Sequence, residues 1–441
     1  MTQATEQLLK KYQDRQVVVG VIGMGYVGLP LALSFVEKGF RVLGFDIDQQ
    51  KVKLLSEGTC YVRHLDPKRL HSAITEHGFS VTADFDRLAE PDAIAICVPT
   101  PLTLQHQPDL SYVTRTAQQI RGCLRAGQLV VLVSTTYPGT TDELVGPILE
   151  QSGLVCGRDF FLAFAPERED PGNPTYTTTM IPKVIGGVDR VSGDLAQRLY
   201  DQVFDRTVRV SDARTAEATK LMENIYRAVN IALVNELKLV YERMGIDVWE
   251  VLDAAMTKPF GFARFDPGPG WGGHCIPVDP FYLSWKAREY GLSTKFIELA
   301  GEVNVRMPAH VVERLTRALN RRGKALKGSH VLILGLAYKK DVDDPRESPA
   351  FEIIDRLLAS ETRVSYHDPH IPLAPAMRSW PELPPMSSVV LVPELLREVD
   401  AVVVVTDHSL VDYDMVYEHA PLIVDTRGVF RYRPADKVVK A

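Results

Sequence analysis

Val17 to Asp48 reads VVVGVIGMGYVGLPLALSFVEKGFRVLGFDID. The run VVVGVI leads into Gly23-Met24-Gly25-Tyr26-Val27-Gly28, then LPLALSFVEKG, then RVLGFDID. Apolar run, glycine turn, helix and second apolar run make a strand–turn–helix–strand unit. In a G-x-G-x-x-G turn the first glycine bends the chain and the second admits a pyrophosphate. The third lets helix and strand pack. The helix N-terminus then offers free N–H groups and its positive dipole end to phosphate. Asp46, at the end of the second run, is placed to bind both ribose hydroxyls, which favours NAD over NADP because a carboxylate repels a further phosphate. A turn acid is the competing reading of Asp46, and Asp48 competes for the ribose role. Val17 to Val36 carries no charge and is long enough to cross a bilayer. The glycine spacing reads it instead as a buried strand entering a buried helix, so no membrane partner is expected.

The alternation continues outward. Asp92 to Val98, Gln128 to Val133, Phe160 to Phe164, Lys183 to Gly186 and Thr207 to Val210 read as further strands. Ligands of a doubly wound sheet lie beyond the carboxyl ends of its strands. Thr100, Thr135 and Glu167 are therefore expected near one crevice, although each hydroxyl also reads as a turn or helix cap. Ser211 to Met244 lacks proline and carries an apolar stripe through Leu221, Ile225, Ala228, Ala232 and Val240, broadened by Val229, Leu233 and Leu237. Ser211 or Asp212 can cap this long helix, and Gly245 can end it. Lys220 and Asn224, four apart, share a face and offer a cation and an amide to an oxygen acquiring negative charge; a solvated face is the alternative. Helices are expected over 248–256, 280–291 and 293–306.

Between them lies Pro267 to Asp279, PGPGWGGHCIPVD, with four glycines and three prolines around Cys275. Glycine lets backbone approach a ligand closely, and proline fixes the chain between approaches. A reacting sulfur needs such a setting, because it must meet substrate as a thiolate. His274 beside it can tune the thiol only if the two side chains face each other.

A second copy of the first pattern follows. SHVLILG (329–335) parallels VVVGVIG, and RVSYHDP, with Asp368, parallels RVLGFDI. DAVVVVTDH and PLIVDTR parallel DAIAICVPT and QLVVLVST. The glycine turn is replaced by Ala337-Tyr338-Lys339-Lys340-Asp341. Lys339, Arg346 and Arg427 fall in loops after strands and suit a phosphorylated ligand, or are ordinary surface charge. The fold class expected is α/β, with two Rossmann-like doubly wound domains joined by a long central helix in an all-helical middle domain. The divisions are 1–210, 211–320 and 321–441.

Bulk properties agree. A chain of 441 residues is expected to divide into two or three domains. Its net charge of −6 argues against a nucleic-acid partner. Five scattered cysteines without a C-x-x-C pair argue against zinc and disulfide frameworks, so no metal is expected. Reduced thiols and a polar N-terminus point to the cytoplasm.

GMGYVGLPLA, FAPERE, AEATKLMENIYRAVN, PGPGWGGHCIPVD and LGLAYKKDVDDPRESPA stand in that order. As a set they resemble the NAD-dependent nucleotide-sugar 6-dehydrogenases of the UDP-glucose and GDP-mannose dehydrogenase family. KPFGFARFDPGPGWGGHCIPVDPFYLSWKARE and PEREDPGNP look most like its UDP-N-acetylglucosamine 6-dehydrogenase branch. The resemblance implies a four-electron oxidation of the sugar C6 alcohol to a carboxylate, with Cys275 as nucleophile. Lys220 and Asn224 match the oxyanion-stabilising pair, Asp279 the water-positioning acid, and Glu167 the glutamate of thioester hydrolysis. Thr135 matches the threonine of an S-T-x-P segment that is one residue longer here, so Thr136 competes for the role. Lys339, Arg346, Arg427 and Gly272 would meet the UDP-sugar, and Arg264 too, from a loop that can reach a neighbouring subunit. A homodimer or higher oligomer through the long helix is implied. Pro171, and Asp266 near Arg264, depart from the UDP-glucose enzymes and put glucose itself in doubt. UDP-glucose, UDP-N-acetylgalactosamine and UDP-N-acetylmannosamine are the alternative substrates; a single-oxidation enzyme and a non-catalytic nucleotide-sugar sensor are the alternative classes.

Overall fold

A computed structural model describes residues 3–62, 65–76, 78–103, 107–170, 173, 175–273, 276–377, 379–434 and 436–441. The chain forms two compact units, Met1–Glu223 with Phe281–Leu292, and Asn224–Pro280 with Ser293–Ala441. The division falls inside the long helix Ala213–Met244.

The first unit is built on β1 (Val18–Ile22), β2 (Arg41–Phe45), β3 (Phe79–Thr82), β4 (Ala93–Ile96), β5 (Leu129–Leu132), β6 (Phe161–Phe164), β7 (Lys183–Gly187) and β8 (Thr207–Arg209). Their order is β3-β2-β1-β4-β5-β6-β7-β8. Neighbours are parallel except β6 and β7. The strands read as continuous apolar runs because both faces are covered. Alternate residues feed opposite cores. Val19, Val21, Ala93, Ala95 and Val131 join one; Ile22, Ile94, Ile96 and Val130 join the other. The chain turns from β1 to β2 and β3, then returns to lay β4 on the other side, which opens a crevice beyond the ends of β1 and β4. Strand β3 and the N-terminal helix are among the elements that the sequence reading did not name. FSVT, which forms β3, is too short and mixed to signal a strand until it pairs with β2. The polar N-terminal segment forms a helix, Gln3–Gln13, that buries Leu8 and Tyr12.

The second unit carries β9 (His330–Leu334), β10 (Arg363–His367), β11 (Ala401–Val404), β12 (Ile423–Asp425) and β13 (Val438–Lys440), all parallel, in the order β10-β9-β11-β12-β13. The internal repeat extends to backbone geometry. Gly23 N–H donates to the Phe45 carbonyl at 2.7 Å, and Gly335 N–H to the His367 carbonyl at 2.9 Å. Both glycines have positive φ, +92° and +88°. A Cβ would lie 2.4 Å from the Cys97 carbonyl oxygen at Gly23, and 2.4 Å from Thr406 Cβ at Gly335. Neither turn tolerates another residue.

Helices Val248–Met256 and Asp279–Glu289 form as expected. The next runs much further, over Lys295–Asn320, straight through Pro308. Proline removes one helical hydrogen bond and costs about 3 kcal/mol. Burial of Met307, Val311, Leu315 and Leu319 on one face offsets this. The Asn304 carbonyl that Pro308 cannot bond faces the glycine loop, 3.2 Å from where a Cβ on Gly270 would stand. The long helix is capped by Asp212, which accepts from Thr215 N–H at 2.8 Å. Its stripe differs from expectation. Leu233 and Val240 are exposed, with Met222, Tyr226 and Met244. The buried face carries Glu217, Lys220, Asn224, Asn235 and Lys238 beside Leu221, Ala228 and Ala232. Hydrophobic periodicity misplaced the face because buried polar residues form part of it.

Candidate active site

The glycine turn of the first unit is shaped for a dinucleotide. A Cβ on Gly28 would stand 1.8 Å from the Gly23 carbonyl oxygen, so the helix start packs directly on the turn. At Gly25 a Cβ would meet nothing within 4 Å, so backbone there lies open to a ligand. Met24 is buried, and Tyr26 and Val27 are half-buried. Asp46 is buried at the tip of β2, where Oδ2 accepts from Met24 N–H and Oδ1 from Asp48 N–H, both at 2.9 Å. Asp48 instead caps the helix Gln49–Ser56, accepting from Gln50 and Lys51. Asp48 is held by its cap, and Asp46 adjoins the turn. The open side of Gly25, the helix N-terminus at Gly28 and the adjacent carboxylate fit NAD.

Beyond β4, Thr100 is buried and its carbonyl accepts from Tyr282 O–H at 2.8 Å. Thr135, after β5, is half-buried; Thr136 is buried, and its Oγ1 has no hydrogen-bond partner among the described residues.

Glu167 follows β6 and meets Lys183, the first residue of β7, with Nζ 2.9 Å from Oε2. Its Oε1 accepts from Arg168 and Glu169 N–H at 2.8 and 2.9 Å. Lys183 is itself buried and lies 5.7 Å from the Tyr200 ring and 5.1 Å from the Phe204 ring. Burial alone would push the Glu167 carboxyl up; the Lys183 charge and hydrogen bond and the two N–H groups outweigh it and hold it below the ordinary range. Glu167 is therefore ionised and anchored. Lys183 escaped the sequence reading, and its only signal was a lysine opening an apolar strand.

Glu169 behaves oppositely. Burial, and then the neighbouring Glu167 charge, push its carboxyl up to about 7. Between the ordinary carboxylate range and about 7 the native state holds a proton that the unfolded chain releases, so stability falls as pH rises through that window. Glu169→Gln is expected to flatten this fall. Urea midpoints at about pH 5 and about pH 7.5 check it; equal declines in wild type and variant would exclude the effect.

Lys220 is buried, and so is Asn224 one turn along the helix, which removes the solvated-face alternative. Asn224 Nδ2 donates to Asp279 Oδ2 at 2.5 Å, and Asn224 Oδ1 accepts from Arg227 at 3.1 Å. Asp279 is buried at the first position of Asp279–Glu289, where a carboxylate suits the helix dipole.

In the glycine loop, close approach serves protein neighbours. A Cβ on Gly272 would stand 2.8 Å from Tyr338 Cβ and 2.9 Å from the Glu347 carbonyl oxygen, and one on Gly268 2.7 Å from an Arg427 nitrogen. Gly273 N–H donates to the Arg346 carbonyl at 3.0 Å. Asn235, buried on the long helix three turns beyond Asn224, accepts from Gly268 N–H at 2.9 Å and donates to Asn304 Oδ1 at 2.8 Å. It positions the loop and was missed; its spacing from Asn224 was the available signal. Cys275, His274 and Pro171 lie outside the described residues.

Arg427 is half-buried beside this loop, its Nε donating to the Val405 carbonyl at 2.7 Å. Burial pulls its guanidinium below the ordinary value. Arg346 forks onto Asp344, with Nη2 2.6 Å from Oδ2. Arg264 pairs with Asp253 at 2.6 Å and Asp266 at 2.8 Å. Lys339 is half-buried after β9. No helix among the described residues is long and apolar enough to cross a membrane.

Comparison with known proteins gives the same picture along most of the chain. Residues 17–204 match the UDP-glucose/GDP-mannose dehydrogenase family, NAD binding domain. Residues 214–306 match its central domain, and 332–432 its UDP binding domain. A UDP-N-acetyl-D-glucosamine 6-dehydrogenase of Pseudomonas aeruginosa is 37% identical over 83% of this chain and 86% of its own. An NDP-N-acetyl-D-galactosaminuronic acid dehydrogenase of Ralstonia nicotianae is 34% identical over 93% and 96%. The solved structure of a UDP-D-ManNAc dehydrogenase from Pyrococcus horikoshii superposes with a TM-score of 0.85 at 33% identity, covering 95% of this chain and 97% of that one. With a dinucleotide-shaped turn in the first unit and a repeat of it in the second, the chain belongs to the UDP-glucose/GDP-mannose dehydrogenase family and is an NAD-dependent UDP-sugar 6-dehydrogenase.

Proposed function

We propose that the chain oxidises the C6 hydroxyl of UDP-N-acetylglucosamine to the carboxylate, in the cytoplasm, for surface-polysaccharide synthesis. The observation that carries the sugar is the PEREDPGNP and KPFGFARFDPGPGWGGHCIPVDPFYLSWKARE pair of segments, together with the Pseudomonas aeruginosa relative. Relatives acting on the galacto and manno forms stand at similar identity, so those sugars are the rival substrates.

In this reading NAD, when bound, accepts the hydride of each oxidation. Lys220 and Asn224 donate to the oxygen that gains charge at C6. The Cys275 thiolate adds to the aldehyde carbonyl, forming a C–S bond and a thiohemiacetal. Loss of the second hydride leaves a thioester. Asp279 positions a water, and Glu167, kept ionised by Lys183, supports its attack. The C–S bond breaks, the thiolate departs and the carboxylate remains. Thr135 takes the site-threonine role beside the cofactor. Arg264, Gly272, Lys339, Arg346 and Arg427 hold the UDP-sugar. Residues 1–210 carry the cofactor, 211–320 the nucleophile and 321–441 the UDP.

The test is a panel of the four UDP-sugars with NAD, reading NADH and uronate together. Two NADH per uronate and the highest kcat/KM on the N-acetylglucosamine form are expected. No turnover of that sugar would overturn the substrate choice, and one NADH per product would overturn the thioester route. The exposed row Met222, Tyr226, Leu233, Val240 and Met244 supports a homodimer through the long helix. Light scattering is expected to give twice the chain mass of 49.2 kDa; a monomer at micromolar concentration removes that part.

A further inference from the structure

The second unit holds a cavity of about 190 Å³ that the dehydrogenase chemistry does not use. Arg314, Arg317, Arg321, Arg322, Lys437 and a single acid, Asp436, surround it. In a chain of net charge −6, such a concentration of cations needs a reason. Its place sets it apart from the nucleotide crevice. Leu422, just before β12, and Lys437, just before β13, both line it, so it lies at the amino ends of these parallel strands. Nucleotides bind such sheets beyond the carboxyl ends.

Arg314, Arg317, Ala318 and Arg321 follow the i, i+3, i+4, i+7 pattern and present one face. From Arg314 to Arg321 the helix rises about 10 Å, a distance that one carboxylate cannot bridge and a chain of phosphoryl groups can. Few of these cations are neutralised. Arg314 pairs with Glu242, yet its Nε is buried with no hydrogen-bond partner among the described residues. Among the described residues Arg317 pairs only along its own helix, with Glu313. Arg322 and Lys437 donate to main-chain carbonyls, of Pro421 and Glu418, which leaves their charge uncompensated. Arg321, Arg322 and Lys437 form no ion pair among the described residues. Offsetting a helix C-terminal dipole takes one or two basic residues and no cavity.

We propose that this cavity binds a small metabolite bearing two or more phosphoryl groups, at a site separate from those of NAD and the UDP-sugar. Arginine forks match phosphate oxygens in pairs, and Ala318, Leu422 and Val439 supply an apolar wall for the rest of such a ligand. The acidic balance of the chain and the small volume of the cavity, about 190 Å³, favour a small polyanion over a nucleic-acid backbone.

The test is calorimetric titration of the full chain with inorganic tripolyphosphate, in saturating NADH and UDP so that both nucleotide crevices are filled. One saturable event per chain is expected. The double variant Arg317→Glu with Arg321→Glu should weaken it at least about tenfold. Without tripolyphosphate its kcat and KM should stay within about twofold of wild type. The milder Arg317→Gln with Arg321→Gln pair, which keeps the aliphatic stems, should weaken it in the same direction and decides the matter if the charge reversal does not fold. No saturable heat once NADH and UDP are bound, or an affinity unchanged by the substitutions, overturns the site.

Discussion

Serine in place of Cys275 is expected to lower uronate formation by about 10³-fold or more while UDP-sugar and NAD still bind. The difference lies in the second oxidation. An alcohol loses its first hydride without help from a nucleophile, but an aldehyde must first become tetrahedral before a second hydride can leave. A thiolate adds readily and forms a thioester that water can cleave. A serine hydroxyl is hardly ionised at neutral pH. NADH per uronate is expected at two in the wild type. The variant should release at most one NADH per substrate, with aldehyde detectable by a carbonyl-trapping reagent. Mass spectrometry of the wild-type chain, quenched in turnover, should find the sugar mass on the peptide that contains Cys275. A serine variant making uronate at the wild-type rate removes the covalent route while leaving the family assignment intact.

Lys183→Met is the second large effect. Lys183 is the buried counter-charge of Glu167, 2.9 Å away, on a strand whose every residue is buried. Methionine fills a similar volume against Tyr200 and Phe204 but leaves a carboxylate with two N–H donors and no cation. Breaking a buried pair from one side costs about 3–5 kcal/mol. In a unit of this size that lowers Tm by roughly 10 °C. The substitution also reverses the balance that keeps Glu167 ionised. With Lys183, its depressed carboxyl contributes stability that is present above the unfolded carboxylate range and is lost as pH falls through the folded value. Without Lys183, burial dominates and raises the Glu167 carboxyl, and the acid-forming step should need a higher pH. Calorimetry and a pH profile of uronate release check both parts. Adding Glu167→Gln should recover much of the stability, because the orphaned charge is then gone, but none of the activity. A Lys183→Met enzyme with wild-type Tm and an unshifted profile would show that the pair has neither role.

The local pattern of residues was enough for most strands of the two sheets, the glycine turn, the long helix and its ends. These depend on interactions within a few residues: alternation into two cores, glycine where a Cβ would strike the facing strand end, a side chain capping the nearest free N–H. The repeat of VVVGVIG in SHVLILG was legible for the same reason, down to the positive φ of Gly23 and Gly335. What sequence could not decide was which polar groups are buried and against what. Lys220 and Asn224 were equally good as a wet face, until folding enclosed both. Lys183 and Glu167 stand sixteen residues apart and meet only because β7 turns back along β6. Pro308 should end a helix by local rules, and the packed face of Met307, Val311 and Leu315 carries the helix past it. In the described part of the loop, the glycines that promise room for a ligand give that room to Tyr338 and Arg427. Local sterics act between neighbours and can be read in order, whereas desolvation and charge pairing depend on partners that only the folded chain brings within reach.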